Sequence, residues 1–378
     1  MHESIYIGTW NQDGSDSCHT FCSYLRKQNQ RQSQGTVLGM EYHWDDRAGT
    51  MELSFQAKEE QLFKMAGLEH DCHPVYTPAL DHPLPVLETV QSHPDYRAVV
   101  GLLLHLTKVR FEICNAVREL CRHGTRNNAE HWNAVLRVVR YLKTTAARTK
   151  VFRRNFDRQA QTQMAIFVDG AHRDSFDIDG HSVYCQYDDA SHAGDRTTKR
   201  GVSGRVEVLA GNVFAVKSKM QTINTQSSCE SEVIAQDEGA RDILFYRRIL
   251  DELGCIQQGA TKIFTDSQSA IAMLHRPMMS SRSKHMDIRR LTVRQLMDEG
   301  VVELAWVPAS LQLADCGTKN LGRVLFDQFR DYTSGIKLVC SEFQGHSLAC
   351  YNAAQLVKEG CQYSNMLPSY YSRELPKY

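Results

Sequence analysis

The feature that most constrains this chain is the order of its hydrophobic patterns between residues 160 and 330. Three short runs come first, Val183–Tyr187, Gly204–Leu209 and Asn212–Lys217, bounded by glycine, and each predicts a strand. The period then changes. Over Ser228–Leu253 the residues Val233, Ile234, Ala240, Leu244 and Leu250 fall on one face at helical spacing. A short buried strand over Lys262–Thr265, a helix over Ser269–Leu274 and a strand over Val302–Val307 complete the series. That order predicts an α/β domain, a mixed sheet with flanking helices.

The rest of the chain reads differently. Residues 1–75 are mixed: a strand is expected over Thr36–Tyr42, a turn over Asp45–Gly49, a partner strand over Met51–Phe55 and a helix over Lys58–Leu68. Residues 76–155 read as helical, with helices over Tyr96–Leu106, Ile113–Leu120 and Glu130–Leu142; Trp132, Leu136, Val139 and Leu142 form a core face. Beyond about 335 there is no usable periodicity. The expected division is therefore 1–155, 156–335 and an unassigned tail over 336–378.

Charge excludes one class of function outright. Lys plus Arg and Asp plus Glu are both 44, so the chain is no polycation, and any nucleic-acid contact must come from local patches. No apolar run reaches the ~20 residues of a spanning helix. No basic stretch leads into an apolar core at the start, so a secretory leader is not expected, and the 12 cysteines read as reduced thiols of an intracellular chain, cytoplasmic or nuclear. Cys18, His19, Cys22, Cys72 and His73 lack the usual zinc spacing.

Four acids sit where a metal site would draw its ligands. Asp189 lies just past the strand ending at Tyr187. Glu232 lies on the first turns of the long helix. Asp266 ends the strand Ile263-Phe264-Thr265, and Asp315 follows the last strand near a terminal helix. Hard cations want oxygen ligands, and phosphodiester hydrolysis is often run by two such ions in a carboxylate cluster. Each acid also has a structural reading: Asp189 as a turn residue, Asp266 as a helix cap, Asp315 as a solvated helix acid. Glu230 and Glu232 can be told apart. Ser227-Ser228-Cys229-Glu230 fits a capping box, which uses Glu230 at the helix start. Glu232 lies about 200° further around the helix and is free to face a site.

These residues carry a resemblance. Lys199-Arg200-Gly201-Val202-Ser203-Gly204 (after Ala193-Gly194-Asp195), Gln226-Ser227-Ser228-Cys229-Glu230-Ser231-Glu232, Asp266-Ser267-Gln268-Ser269-Ala270-Ile271-Ala272, Ser283-Lys284-His285-Met286-Asp287-Ile288-Arg289, and Val307-Pro308 with Gln312-Leu313-Ala314-Asp315 and Thr318-Lys319 follow one another in order. Together they resemble the RNase H domain of copia-type LTR-retrotransposon Pol polyproteins. Leu38-Gly39-Met40-Glu41, Tyr96-Arg97 with Val100-Gly101-Leu102, and His131-Trp132 with Arg140-Tyr141-Leu142-Lys143 resemble the end of the same family's reverse transcriptase and its connection. The fold implied is an RNase H-like mixed sheet preceded by a truncated α+β palm and thumb-connection segment.

The resemblance implies that Asp189, Glu232, Asp266 and Asp315 hold two Mg²⁺ ions, with Mn²⁺ as a substitute, and cleave the RNA strand of an RNA–DNA hybrid. Asp189 and Asp266 are then the central ligands, Glu232 serves the leaving-group metal and Asp315 the water-activating one. Other Pol or Gag components are implied as partners, and no membrane. There are departures. The family's first motif carries Asp-Ala-Asp, whereas this chain has Asp189-Ala190-Ser191. Phe167-Val168-Asp169-Gly170 also resembles a first RNase H strand, which makes Asp169 a rival to Asp189. The polymerase's Tyr-x-Asp-Asp hairpin survives at most as Tyr6-Ile7-Gly8-Thr9, without either acid, so polymerase activity is expected to be absent.

Two basic runs offset the neutral total. Residues 137–158 include Arg137, Arg140, Lys143, Lys150 and Arg153, and residues 276–294 include Arg282, Lys284, Arg289 and Arg290, with His285 among them. Arg140, Lys143, Arg282, Lys284, His285, Arg289 and Arg290 are the expected phosphate contacts. The alternative reading is a catalytically inactive relic that acts at most by binding nucleic acid or as a structural protein.

Overall fold

The computed structural model describes residues 33–336, apart from 46, 71, 81, 83, 86–91, 154–183, 193–197, 254 and 276–283. Asp169, Arg282 and the Tyr6–Thr9 segment fall outside the described residues.

The first module is α+β. Strands β1 (Gln34–Val37), β2 (Met40–Asp45), β3 (Thr50–Ser54) and β4 (Lys150–Arg153) form an antiparallel sheet in that order. The single strand expected over Thr36–Tyr42 is in fact two. Leu38 and Gly39 take φ values of 52° and 82°, a conformation that turns the chain back on itself. Helices α1 (Gln56–Met65), α2 (Tyr96–Leu106), α3 (Cys114–Cys121) and α4 (Ala129–Thr144) cover the sheet. Their apolar faces supply Leu62, Val99, Leu103, Leu106, Val117 and Leu142 to one core cluster. The α4 start is fixed by Asn128, whose side chain accepts the Glu130 and His131 N–H groups at 3.0 and 3.1 Å.

The second module is the expected mixed sheet. Its strands are β5 (Tyr184–Ser191), β6 (Val202–Leu209), β7 (Asn212–Met220), β8 (Thr261–Thr265) and β9 (Val302–Trp306), ordered β7-β6-β5-β8-β9. β5, β6 and β7 are antiparallel neighbours; β5, β8 and β9 are parallel. Parallel pairs need helical crossovers, which α5 (Ser228–Glu252), α6 (Gln268–His275) and α7 (Lys284–Asp298) provide. The short α8 (Asp315–Thr318) and α9 (Arg323–Thr333) close the other face. Three antiparallel strands, then two parallel ones joined through helices, make this an RNase H-like fold.

The modules interlock. Phe111 packs with Val206, Tyr187 and Phe329 under the second sheet, and Phe326 of α9 packs into the first core. β4 belongs to the first sheet, yet the Val151 N–H donates to the Ser334 carbonyl and Arg153 exchanges hydrogen bonds with Asn212.

Candidate active site

Three of the four acids meet at one end of the second sheet. β5 runs four residues beyond its expected end at Tyr187, so Asp189 lies within the strand, paired with Gly204 of β6. Asp266 follows the last residue of β8, and β8 is parallel to β5, which brings both C-terminal ends to one edge. Glu232 lies early in α5. Ser227 accepts the Glu230 N–H at 3.2 Å, and the Glu230 carboxylate accepts the Gln226 N–H at 2.7 Å, so Glu230 serves the helix start as the capping pattern predicts. One carboxylate oxygen each of Asp189, Glu232 and Asp266 lies within 4.8 Å of the others.

Asp315 heads α8, and two glycines bring it close. A Cβ on Gly204 would lie 2.6 Å from the Ala314 carbonyl, and one on Gly317 would lie 3.0 Å from the Gly204 Cα. Only with both side chains absent does α8 lie directly on the strand beside Asp189. Ser218 donates to the Gly317 carbonyl at 2.5 Å, and Gln312 donates to the Asp188 carbonyl at 2.9 Å. Thr318 Oγ1 donates to Asp189 Oδ2. Trp306 is half-buried at the end of β9, where its indole N–H donates to the Asp266 carbonyl at 3.2 Å.

The electrostatics are those of a cluster with too little positive charge. Glu232 is 7% exposed, and burial plus the charges of Asp189 and Asp266 push its carboxyl up to about 9. Its Oε2 is buried with no hydrogen-bond partner. Burial and then Asp189 raise Asp266, and the same two causes push Asp315 up to about 6. The cation at hand is Lys319, 2.6 Å from Asp315 Oδ1 and 3.7 Å from Asp189 Oδ2. Burial opposes its charge, but Asp189 and Asp315 hold its pKa above the usual lysine value. An all-oxygen donor set with an orphaned buried carboxylate oxygen suits a hard divalent cation.

Comparison with known proteins agrees on ancestry. No family model matches the chain. It is 26% identical over 301 residues to the retrovirus-related Pol polyprotein from transposon TNT 1-94 of Nicotiana tabacum, a match covering 77% of this chain and 21% of that protein. It is 28% identical over 268 residues to the corresponding polyprotein from transposon RE2 of Arabidopsis thaliana, covering 70% of this chain and 17% of that one. These curated relatives are retrovirus-related Pol polyproteins of plant transposons, consistent with the resemblance to the copia type. The chain spans about a fifth or less of their length. Among solved structures it is similar to LC11-RNase H1 in complex with RNA/DNA hybrid, at 12% identity and a TM-score of 0.27, covering 34% of this chain and 88% of that one.

The expected phosphate contacts sort unevenly. Lys143 is a structural residue: its ammonium donates to the Leu68 carbonyl at 2.5 Å and to the His70 carbonyl. Arg140 is half-buried, with its Nε enclosed and without a hydrogen-bond partner. Arg289 pairs with Asp237 at 3.1 Å, and Arg290 donates to the Met273 carbonyl at 2.9 Å. Lys284 and His285 open α7. Elsewhere in the first basic run, Lys150 is buried beside the Phe111 and Phe152 rings, and Arg137 donates to the Ala79 carbonyl and the Thr77 hydroxyl. Sequence reasoning quoted Thr318 and Lys319 as part of a motif but gave them no role; their spacing of three and four from Asp315 was the available signal.

Proposed function

We propose that this chain is an RNase H-type hydrolase of the RNA strand of RNA–DNA hybrids, with Asp189, Glu232, Asp266 and Asp315 holding two Mg²⁺ ions, replaceable by Mn²⁺. The observation that carries the reading is the meeting of three carboxylates from β5, α5 and β8 within 4.8 Å, one of them a buried glutamate with an orphaned oxygen. Bound divalent ions at such a cluster supply an activated water and stabilise the leaving oxygen.

The chain's own residues contribute position. Thr318 occupies Asp189 Oδ2 and fixes that carboxylate's rotation. Trp306 and Gln312 pin the backbone at Asp266 and beside Asp189, so two ligand-bearing strand ends are held by side chains from outside the strands. Burial removes water from Glu232, which is therefore protonated at neutral pH until a cation draws the proton off. Ser191, where the family motif carries a second acid, accepts the Val202 N–H at 3.2 Å and so serves the β5–β6 junction.

On this reading the chain is a Pol fragment of two modules, 1–155 and 156–335, that lacks polymerase activity and works inside the cell with nucleic acid and other element-encoded proteins. The test is cleavage of a labelled RNA–DNA hybrid with Mg²⁺ or Mn²⁺, beside Asp266→Asn. Metal-dependent cleavage that disappears in the variant is the expected result. No cleavage by folded protein that still binds hybrid would replace this reading with the inactive relic.

A further inference from the structure

Lys319 stands in an unusual place for a cation. α8 ends at Thr318, and Lys319 leaves helical geometry at φ −123° and ψ 150° while its N–H still donates to the Asp315 carbonyl at 2.8 Å. Its side chain turns back over the helix it caps. There its ammonium meets carboxylates from two elements: Asp315 of α8 at 2.6 Å and Asp189 of β5 at 3.7 Å. Asp189, Glu232 and Asp266 converge here with Asp315 beside them, and among the described residues Lys319 is the cation that pairs with two of these acids, Asp189 and Asp315. The side chain is also 45% exposed, so it can swing into water without any element unfolding.

We propose that Lys319 is an internal counter-cation of the acid cluster, bridging Asp189 and Asp315 when no divalent ion is bound and giving way when one binds. The inference rests on the metal-site reading above and adds to it. Its physical basis is competition for the same oxygens. A divalent ion that takes Asp189 and Asp315 must displace an ammonium already within ion-pair distance of both. Lysine suits this task better than arginine, because a compact ammonium on a flexible stem releases without breaking a bidentate pair. The device keeps the metal-free cluster from repelling itself apart, at the expense of metal affinity. Metal binding and Lys319 release are then one linked equilibrium.

The experiment is Mn²⁺ titration of the whole chain, read by the EPR signal of free Mn²⁺, for wild type, Lys319→Met and Lys319→Arg. Lys319→Met should bind Mn²⁺ about fivefold or more tightly than wild type. It should also melt at a lower temperature in EDTA and gain more on adding Mn²⁺. Lys319→Arg keeps the charge and should bind no more tightly than wild type. Equal or weaker binding by Lys319→Met overturns the proposal and leaves the metal site standing. No binding by folded wild type or folded Lys319→Met overturns the metal site, and the proposal with it. Should Lys319→Met fail to fold, Lys319→Gln carries the same comparison.

Discussion

Asp188 and Asp189 are sequence neighbours on β5, both buried, and their side chains leave the strand on opposite faces. Asp188 lies under α5. Its Oδ1 accepts from Gln186 Nε2 at 2.6 Å, and a Cβ on Gly239 would overlap its Oδ2. Around it, Arg205 donates to Asp242 and Glu238, each at 2.7 Å, and Glu207 accepts from the Tyr184 hydroxyl at 2.6 Å. Burial pushes Asp188 and Glu207 up to about 8, so both are neutral acids inside a packed interface. Asp189 instead faces two further acids at a strand end, with a threonine and a lysine holding one of its oxygens. One acid is closed into the core and the other sits among carboxylates at a strand end. The difference is what each meets: helix backbone and fixed arginine pairs for Asp188, half-exposed Lys319 and other carboxylates for Asp189.

The largest expected effect separates the two directly. Asp189→Asn should lower metal-dependent hybrid cleavage by more than about a hundredfold, beyond the loss typical of a group that only supports a ligand. Asp188→Asn should leave cleavage near wild type, because it replaces a neutral acid with a neutral amide of the same shape. Equal losses in a steady-state cleavage assay would show that the strand tolerates no change at either position, and would remove the functional distinction between them.

A smaller effect concerns the glycines that seat each acid. Gly239→Ala drives a methyl group into Asp188 and Gln186 and should cost about 1–3 kcal/mol in urea unfolding. Gly204→Ala meets the Ala314 backbone carbonyl instead, so α8 must move, and Asp315 and Thr318 with it. Its mark should be weakened Mn²⁺ binding by folded protein. If Gly204→Ala loses stability but keeps wild-type Mn²⁺ affinity, the seating of α8 does not govern the site.

The two acids also show how far a sequence can be read. The strand order, the helix cap at Ser227 and the edge positions of Asp189, Glu232 and Asp266 were legible, because each depends on local spacing or on residues adjacent in sequence. What stayed hidden depends on distant partners. Two consecutive acids disfavour a strand, yet β5 runs through both because Arg205 and Gly204 pair with them across the ladder. The Gly204–Gly317 approach joins residues 113 apart, and nothing in either motif announces the other. The internal partners of the basic run over 137–158 stayed hidden for the same reason. Charge counting registers Lys143 and Lys150 as cations, but the first satisfies the carbonyls of Leu68 and His70 and the second is buried, its pKa lowered to about 7 by burial against the opposing pull of Glu112.

The last contrast is a pH dependence that Asp188 should contribute through its carboxyl. Its carboxyl rises from 3.8 to about 8 on folding, so the native protein keeps a proton that the unfolded chain releases above pH 4. A raised pKa gives stability that is complete below the unfolded value and is lost as pH climbs to the folded one. Asn carries no such proton. The melting temperature of Asp188→Asn relative to wild type should therefore increase between pH 4 and 8, with a difference of about 2–4 °C for each kcal/mol of linkage. The measurement is made in EDTA, so that proton release at Glu232 on metal binding does not enter. Wild type and Asp188→Asn falling in parallel across that range would mean that Asp188 is ionised in the folded protein. Arg205, its register partner across the ladder, whose charge lowers the Asp188 pKa, would then be neutralising it, and the contrast with Asp189 would be one of access to solvent cations.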